Sequence, residues 1–365
     1  MFMIFDSEVR FSMQAARYYG PRDVRIEETD AGTVGPNEVR VDIAACGICG
    51  SDLHEYAAGP ITIPADPHPL TGEQLPITIG HEIGGTISET GEDVSLEIGA
   101  PVAINPILSC GDCRYCITGS YHLCQSGGFV GLSGCGGGFS ESVVVSAEKA
   151  VPVPKEIPVE FAALVEPFTV GVHAVKRSGL RPGDSVAVFG SGPIGLAVLQ
   201  SVIAAGAGPV FVSEPQAIRR ELAAKCGADT TLDPSKTDPV SEIREETDGV
   251  DVAFEVAGIE PTFNQSLAVT RSGGTTTIVS LFEDAISIEP NDIVVAEKAI
   301  VGTAAFNGGP LSDQEFGTTI RNMASGVFDP ELLVTSRIRL NELVNRGFEE
   351  LLKDGNDEVK ILVEP

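Results

Sequence analysis

Four cysteines fall within fifteen residues, Cys110, Cys113, Cys116 and Cys124, in the pattern C-x2-C-x2-C-x7-C. Cysteines two residues apart on tight turns can point at one centre, and four thiolates close a tetrahedral shell around zinc. A closed shell leaves no open position, so this zinc would be structural. Disulfides are disfavoured in a reducing cytoplasm. An iron–sulfur cluster uses related spacings, and zinc is preferred over it. A second set is scattered along the chain: Cys46-Gly-Ile-Cys49, then Gly80-His81-Glu82, then Val165-Glu166-Pro167. Cys49, His81 and Glu166 offer sulfur, nitrogen and oxygen donors. Three such donors and one open position describe a catalytic zinc. Zn2+ with one thiolate and one carboxylate is neutral. Singly, each residue has a plainer reading: a hydrogen-bonded His, a loop Glu, a redox pair of cysteines. Cys135 and Cys226 have no partner motif and read as structural.

A third group is built for phosphates. Val186–Phe189 is an unbroken apolar run that enters Gly190-Ser191-Gly192-Pro193-Ile194-Gly195, which fits G-x-G-x-x-G. An Ala/Leu/Val-rich helix follows and ends at Gly206. A second run, Val210–Ser213, leads to Glu214, 19 residues beyond Gly195. Gly190 permits the tight turn, Gly192 lets the backbone approach a pyrophosphate, and Gly195 lets helix and strand pack. The helix N-terminus, with Pro193 and Ile194 in its first turn, offers free N–H groups to phosphate. Glu214 is placed to bond the ribose hydroxyls and to repel a 2′-phosphate, which favours NAD over NADP. Arg219 either lies over the adenine or is a solvated helix charge.

These groups need a scaffold. At 365 residues the chain has room for two domains. No charged residue occurs from Ser185 to Ser213. The turn clusters GSGP and GAGP break that run into strand, helix and strand, which excludes a membrane span. Further strands are expected at Val250–Phe254, Thr275–Leu281 and Ile300–Ala304. Strand and helix patterns alternate from about 184 to 304, as a doubly wound parallel sheet requires.

Hydrophobic residues make up 42 %, which excludes a disordered chain. With 52 acidic and 24 basic residues the net charge is −28, which argues against nucleic acid and anionic membranes as partners. Only 8 of the basic residues are Lys. A Lys-poor, acidic surface over a normal core reads as a halophile's cytoplasmic protein, with salt screening the self-repulsion. The start, MFMIFDSEVRFSM, has no basic region before its apolar run and does not read as a secretory signal. Residues 1–12 read as an extension before Met13.

Taken together, GPNEVRVDIAACGICGSDLHEY (35–56), HPLTGEQLPITIGHEIGG (68–85), the four-cysteine stretch, GLSGCGGGFSE (131–141), ALVEPFTVGVHAV (163–175) and VFGSGPIG (188–195) resemble the zinc-dependent medium-chain alcohol and polyol dehydrogenases. The similarity covers almost everything from Met13 onward. HPLTGE (68–73) is similar to the branch that acts on vicinal diols such as 2,3-butanediol. The resemblance implies an α/β chain with a GroES-like, β-rich catalytic domain and a Rossmann cofactor domain. It places the catalytic domain at 1–165, with the four-cysteine lobe at 108–126, the NAD-binding domain at 166–305, and a segment at 306–365 that completes the catalytic domain. It implies two zinc ions per chain, NAD, an alcohol or ketone substrate and a homo-oligomer, dimer or tetramer. Cys49 rather than Cys46 then takes the zinc cysteine's place. Ser51 takes the hydroxyl that touches the substrate oxygen, and His54 the relay at the surface. Asp52 would orient a zinc ligand. Glu82 would exchange with Glu166 on zinc, with Glu166 ranked first.

The chain departs from that pattern at Gly99-Ala100-Pro101-Val102, which loses a local ion pair, and at Val279-Ser280-Leu281, where a Gly near the nicotinamide is more usual. Competing readings are a sorbitol, glucose or L-threonine dehydrogenase, and a catalytically silent NAD-binding protein. A zinc-free quinone reductase is disfavoured by both zinc motifs.

Overall fold

The computed structural model describes residues 12–309 and 313–365. The expected extension at 1–12 therefore lies, apart from Ser12, outside the described residues. Strands β1 (Ser12–Gly20) and β2 (Asp23–Asp30) pair as a hairpin. β3 (Glu38–Gly47) leads into helix α1 (Gly50–Ala58). Then come β4 (Ile77–Thr78), β5 (Glu82–Thr90), β6 (Pro101–Ile104) and β7 (Ile107–Leu108). A lobe containing α2 (Arg114–Ile117) separates β7 from β8 (Gly128–Phe129). β9 (Ser142–Ser146), β10 (Ala150–Pro152) and α3 (Val165–Ser178) follow.

The second unit alternates strand and helix: β11 (Val186–Phe189), α4 (Pro193–Ala204), β12 (Val210–Ser213), α5 (Ala217–Lys225), β13 (Thr230–Leu232), α6 (Pro239–Thr247), β14 (Val250–Glu255), α7 (Glu260–Val269), β15 (Thr270–Ile278), α8 (Pro290–Val294) and β16 (Ala299–Gly302). All six strands are parallel, in the order β13-β12-β11-β14-β15-β16. β11 is buried along its whole length because both faces carry helices, so its sequence is apolar throughout rather than alternating. The strand order reverses between β11 and its neighbours β12 and β14. The crevice at their carboxyl ends is where such sheets bind ligands.

After α9 (Asp313–Ala324), β17 (Val334–Arg339) and β18 (Lys360–Glu364) leave the parallel sheet. They join the first sheet, ordered β10-β6-β5-β3-β18-β17, with β9 also on β3. β18 runs antiparallel to β3, with Val363 opposite Cys46 and Leu362 opposite Gly47. The catalytic sheet is thus made from both ends of the chain.

The charge-free run at 185–213 is β11–α4–β12. Among the described residues no helix is long and apolar enough to cross a membrane. Two expected strands have other bounds and one strand was not foreseen: the strand expected at Ile300–Ala304 runs over Ala299–Gly302. The strand expected at Thr275–Leu281 begins earlier and stops at Ile278, so Val279, Ser280 and Leu281 lie in the loop beyond it. β13 was not foreseen: it is a three-residue, Thr-rich edge strand without a buried apolar run.

Helix α3 is fastened to α9 by one carboxylate. Glu315 accepts from Lys176 Nζ at 2.7 Å, His173 Nδ1 at 3.0 Å and Asn307 N at 3.0 Å. Burial opposes the charge, but these donors hold the Glu315 carboxyl down to about 2 from the usual 4.5. A folded pKa below the unfolded one stabilises above about 4.5, and the contribution is gone once pH falls through about 2. Glu315→Gln is expected to lower stability at pH 7 by on the order of 2–3 kcal/mol. The deficit should shrink as the pH of a denaturant titration falls from 5 to 3; a constant deficit would refute the ionic account.

Candidate active site

The lobe between β7 and β8 gathers Cys110, Cys113, Cys116 and Cys124, all free thiols. Their Sγ–Sγ distances are 3.5 Å (113–116), 3.5 Å (110–124), 3.9 Å (110–116) and 4.0 Å (113–124). Four sulfurs about 2.3 Å from a central zinc stand ~3.8 Å apart, so the spacing fits a closed tetrahedral shell. Backbone N–H groups, that of Cys116 foremost, draw the Cys113 thiol down to about 6 and so favour the thiolate a metal needs.

The second centre lies where β3 gives way to α1 and β5 begins. Cys49 stands at the start of α1, and its N–H donates to Asp52 Oδ2 at 2.9 Å. The sharp entry to His81 is made by Gly80, at φ 98; a Cβ there would lie 2.9 Å from Cys46 Sγ and Phe139. His81 Nε2 and Ser51 Oγ are 3.5 Å apart. His81 Nδ1 faces Asp52 Oδ1 at 3.5 Å, and among the described residues neither atom has an aligned hydrogen-bond partner. Asp52 therefore stands where it can orient the imidazole.

Donor atoms of Cys49, His81 and Glu82 all lie within 4.8 Å of one another. Burial would lower the His81 pKa, yet the charges of Asp52 and Cys49 raise it well above the ordinary imidazole range. A site that draws a proton onto a buried imidazole is one that calls for a cation. This electrostatics and the S/N/O donor set fit zinc. Cys46 is fully buried, and burial pushes its thiol far above the usual range, so it stays neutral.

The expected oxygen donor was Glu166, with Glu82 as its exchange partner. Glu82 is the carboxylate grouped with Cys49 and His81. Glu166 sits in the first turn of α3, buried nearby, its carboxyl pushed up to about 7 by burial first and by Glu82 among its neighbours. One residue that the sequence reading missed explains how Glu82 is held. Lys360 on β18 donates to Glu82 Oε1 at 2.6 Å, Glu82 Oε2 at 2.8 Å and the Ile48 carbonyl at 2.8 Å. The available signal was a lysine opening the apolar strand KILVE in a chain with few lysines.

The glycine turn matches the tasks set by its spacing. Gly190 is at φ 99; a Cβ on Gly195 would lie 2.1 Å from the Gly190 carbonyl; over Gly192 nothing lies within 4 Å, so a ligand can approach. Pro193 opens α4, followed by Ile194. Glu214, buried beyond β12, accepts from Ser191 N and Gln216 N, each at 2.9 Å. Arg219 Nη2 donates to the Glu358 carbonyl at 3.0 Å, and its buried Nε has no partner among the described residues.

His54, on α1, is half-exposed and pairs with Glu283 at 3.1 Å. It lines a cavity of about 470 Å3 with Ala257, Gly258, Leu281 and Phe282, at the carboxyl end of the parallel sheet. Glu255 was also missed. Fully buried at the end of β14, it accepts from Ala257 N (2.9 Å), Gly258 N (2.8 Å), Thr262 Oγ1 (2.7 Å) and Ser280 Oγ. It ties together the loops after β14 and β15. The unusual Ser280 thus has a partner, which a Gly there would lack.

Known proteins agree with this layout. Residues 35–155 match the alcohol dehydrogenase GroES-like domain, and residues 193–325 the zinc-binding dehydrogenase domain. The chain is 43 % identical to the (R,R)-butanediol dehydrogenase of Bacillus subtilis over 97 % of this chain and 100 % of that one. It is 38 % identical to that of Neisseria gonorrhoeae, over 97 % and 99 %. The crystal structure of 2R,3R-butanediol dehydrogenase from Bacillus subtilis superposes with a TM-score of 0.90, again covering 97 % and 100 %. A Sinorhizobium meliloti protein solved bound to NADP, 31 % identical, superposes at 0.87 over 98 % and 100 %. Family models over residues 35–155 and 193–325, and relatives matched from end to end, place this chain in the zinc-dependent medium-chain alcohol dehydrogenase family, as an oxidoreductase.

Proposed function

We propose that this enzyme oxidises a vicinal diol, 2,3-butanediol to acetoin, by hydride transfer to NAD. The observation that carries the substrate is the 43 % identity to (R,R)-butanediol dehydrogenase along the full length of both chains. In this reading Cys49, His81 and Glu166 hold the catalytic zinc, with Glu82 as the exchanging carboxylate. The four lobe cysteines hold a structural one. When bound, zinc supplies Lewis acidity that lowers the pKa of a hydroxyl, and the nicotinamide accepts the hydride. Ser51 Oγ, beside His81 Nε2, takes the substrate's hydroxyl proton. His54, at the rim with Glu283, hands a proton to solvent. The turn at 190–195 seats the pyrophosphate.

Glu214 supports NAD, because its carboxylate sits beside that turn and repels a 2′-phosphate. The NADP-bound relative is the reason to assay both cofactors. We propose the unit boundaries near 165 and 305, and a cytoplasmic homo-oligomer. Among the described residues β16 has no strand on its outer edge, next to exposed Leu281, Val294, Val295 and Ile300. An edge of that kind is suited to pair with its own copy.

The test is NAD and NADP reduction in concentrated KCl with (R,R)-, meso- and (S,S)-2,3-butanediol, sorbitol, glucose and L-threonine, on protein whose solution mass is measured first. Preference for a butanediol isomer supports the reading. Activity on sorbitol, glucose or threonine alone overturns the substrate but keeps the chemistry. Two zinc ions per chain without turnover would favour a silent NAD-binding protein, and a single-chain mass would remove the oligomer.

A further inference from the structure

Glu214 and Asp233 end neighbouring strands. β12 and β13 run parallel with Ser213 opposite Leu232, and the Glu214 N–H donates to the Leu232 carbonyl at 3.0 Å. The two acids are therefore the first residues beyond the carboxyl ends of adjacent strands, where such a sheet meets its ligand. Helix α5 begins just after Glu214 and carries Arg220 near its start. The Arg220 side chain is 15 % exposed. Its Nη1 donates to the carbonyls of Glu214 (2.7 Å) and Pro215 (2.6 Å), and its Nη2 lies 3.0 Å from Asp233 Oδ2. A guanidinium thus stands beside the residue placed to bond the ribose, with one nitrogen committed to a carboxylate. The neighbouring Arg219 is turned to the Glu358 carbonyl instead.

Asp233 is itself firmly held. Its Oδ1 accepts from Ser235 N at 3.1 Å and Ser235 Oγ at 2.6 Å, and Lys236 Nζ lies 3.0 Å from Oδ2. The bond from Ser235 first, then Lys236 and Arg220, draw its carboxyl down to about 2, so it is ionised at neutral pH. An arginine near the adenosine ribose is a means of accommodating a 2′-phosphate, because its planar fork meets a phosphate with two bonds. This chain has the arginine in place, but its charge is already answered.

We infer that Asp233 is a specificity-determining residue: it holds Arg220 away from the 2′ position, so a 2′-phosphorylated nucleotide meets the Glu214 carboxylate without help from that guanidinium. Glu214 repels the phosphate, and the Asp233–Arg220 pair keeps the repulsion from being cancelled. The inference rests on the reading that the turn at 190–195 and Glu214 receive the adenosine half of a dinucleotide. It adds a second reason for that half to be unphosphorylated.

The experiment titrates the full-length protein in KCl with adenosine 5′-phosphate and with adenosine 2′,5′-bisphosphate, followed by calorimetry. The probes differ by the 2′-phosphate alone, and neither needs a metal or turnover. The quantity read is the ratio of their dissociation constants. Asp233→Asn keeps the size of the side chain and an acceptor for Ser235. It is expected to move the ratio toward the bisphosphate by ~10-fold, the size of one charge-assisted hydrogen bond. Arg220→Ala added to Asp233→Asn is expected to cancel the gain. An effect of lost negative charge alone would survive that second change. An equal gain in both proteins therefore overturns the inference, as does no gain in Asp233→Asn. Should Asp233→Asn not fold, Glu214→Gln decides. With Asp233 in place and the repelling charge gone, adding Arg220→Ala is expected to alter the ratio by ~2-fold at most. A ~10-fold loss there would show Arg220 already at work and overturn the inference. A parent chain that binds neither probe defeats the adenosine reading itself, and this inference with it.

Discussion

His81→Ala is expected to reduce bound zinc from two ions per chain to one and to cut kcat/KM by ~10^3 or more. The imidazole is 4 % exposed, supplies the nitrogen among three donors and faces Asp52 on its other side. Removing it takes one of the three protein ligands from an open site, and such sites hold their metal with no ligand to spare. Without the metal nothing acidifies the substrate hydroxyl, and the shift lost is large: zinc brings the pKa of bound water down to about 7. Loss of an imidazole also leaves the Asp52 carboxylate buried without its neighbour, so a modest fall in stability is expected too. Elemental analysis and kinetics on the same folded sample separate the two effects. Retained zinc with near-parental turnover would remove His81 from the metal centre.

The other large effect belongs to the lobe. Cys113→Ser is expected to abolish metal binding there and to lower stability by ~3–5 kcal/mol, since loss of a structural metal is among the few mechanisms with effects of that size. The lobe also touches the start of the C-terminal segment, just beyond the parallel sheet. Asn307 Oδ1 accepts from Tyr121 N at 3.3 Å and Asn307 Nδ2 donates to the Gly119 carbonyl at 2.5 Å. A Cβ on Gly309 would lie 1.9 Å from the Tyr121 ring. A collapsed lobe therefore loosens the segment at 307–309 as well as itself. Thermal unfolding in KCl with zinc analysis checks this. A parental transition with one zinc missing would mean that the lobe's metal is dispensable.

Local chemistry was legible in the sequence, and long-range pairing was not. The four-cysteine spacing and the G-x-G-x-x-G turn are set by neighbours a few residues apart, so type and spacing carry the geometry. β11 and β12 were legible because burial on both faces makes them apolar throughout. β13 lacks that signal, being an edge of three residues. Glu82 is bonded by Lys360, and Glu255 by Ser280. Such partners are far apart along the chain, and no local pattern announces them. The end of β15 was misplaced because Val279 and Leu281 continue the apolar pattern, while the bond from Ser280 to Glu255 draws the chain into the loop instead.

The interleaving of the two units bears on how such a gene can be recombined. Glu82 and Lys360 are 278 residues apart, with the whole parallel sheet encoded between them. The catalytic half is therefore not a contiguous stretch of coding sequence. A single crossover anywhere between these positions joins one parent's carboxylate to the other parent's strand and cation. Exchange of the cofactor unit alone needs two junctions, one before β11 and one before β17, so that β3, β5 and β18 are inherited together.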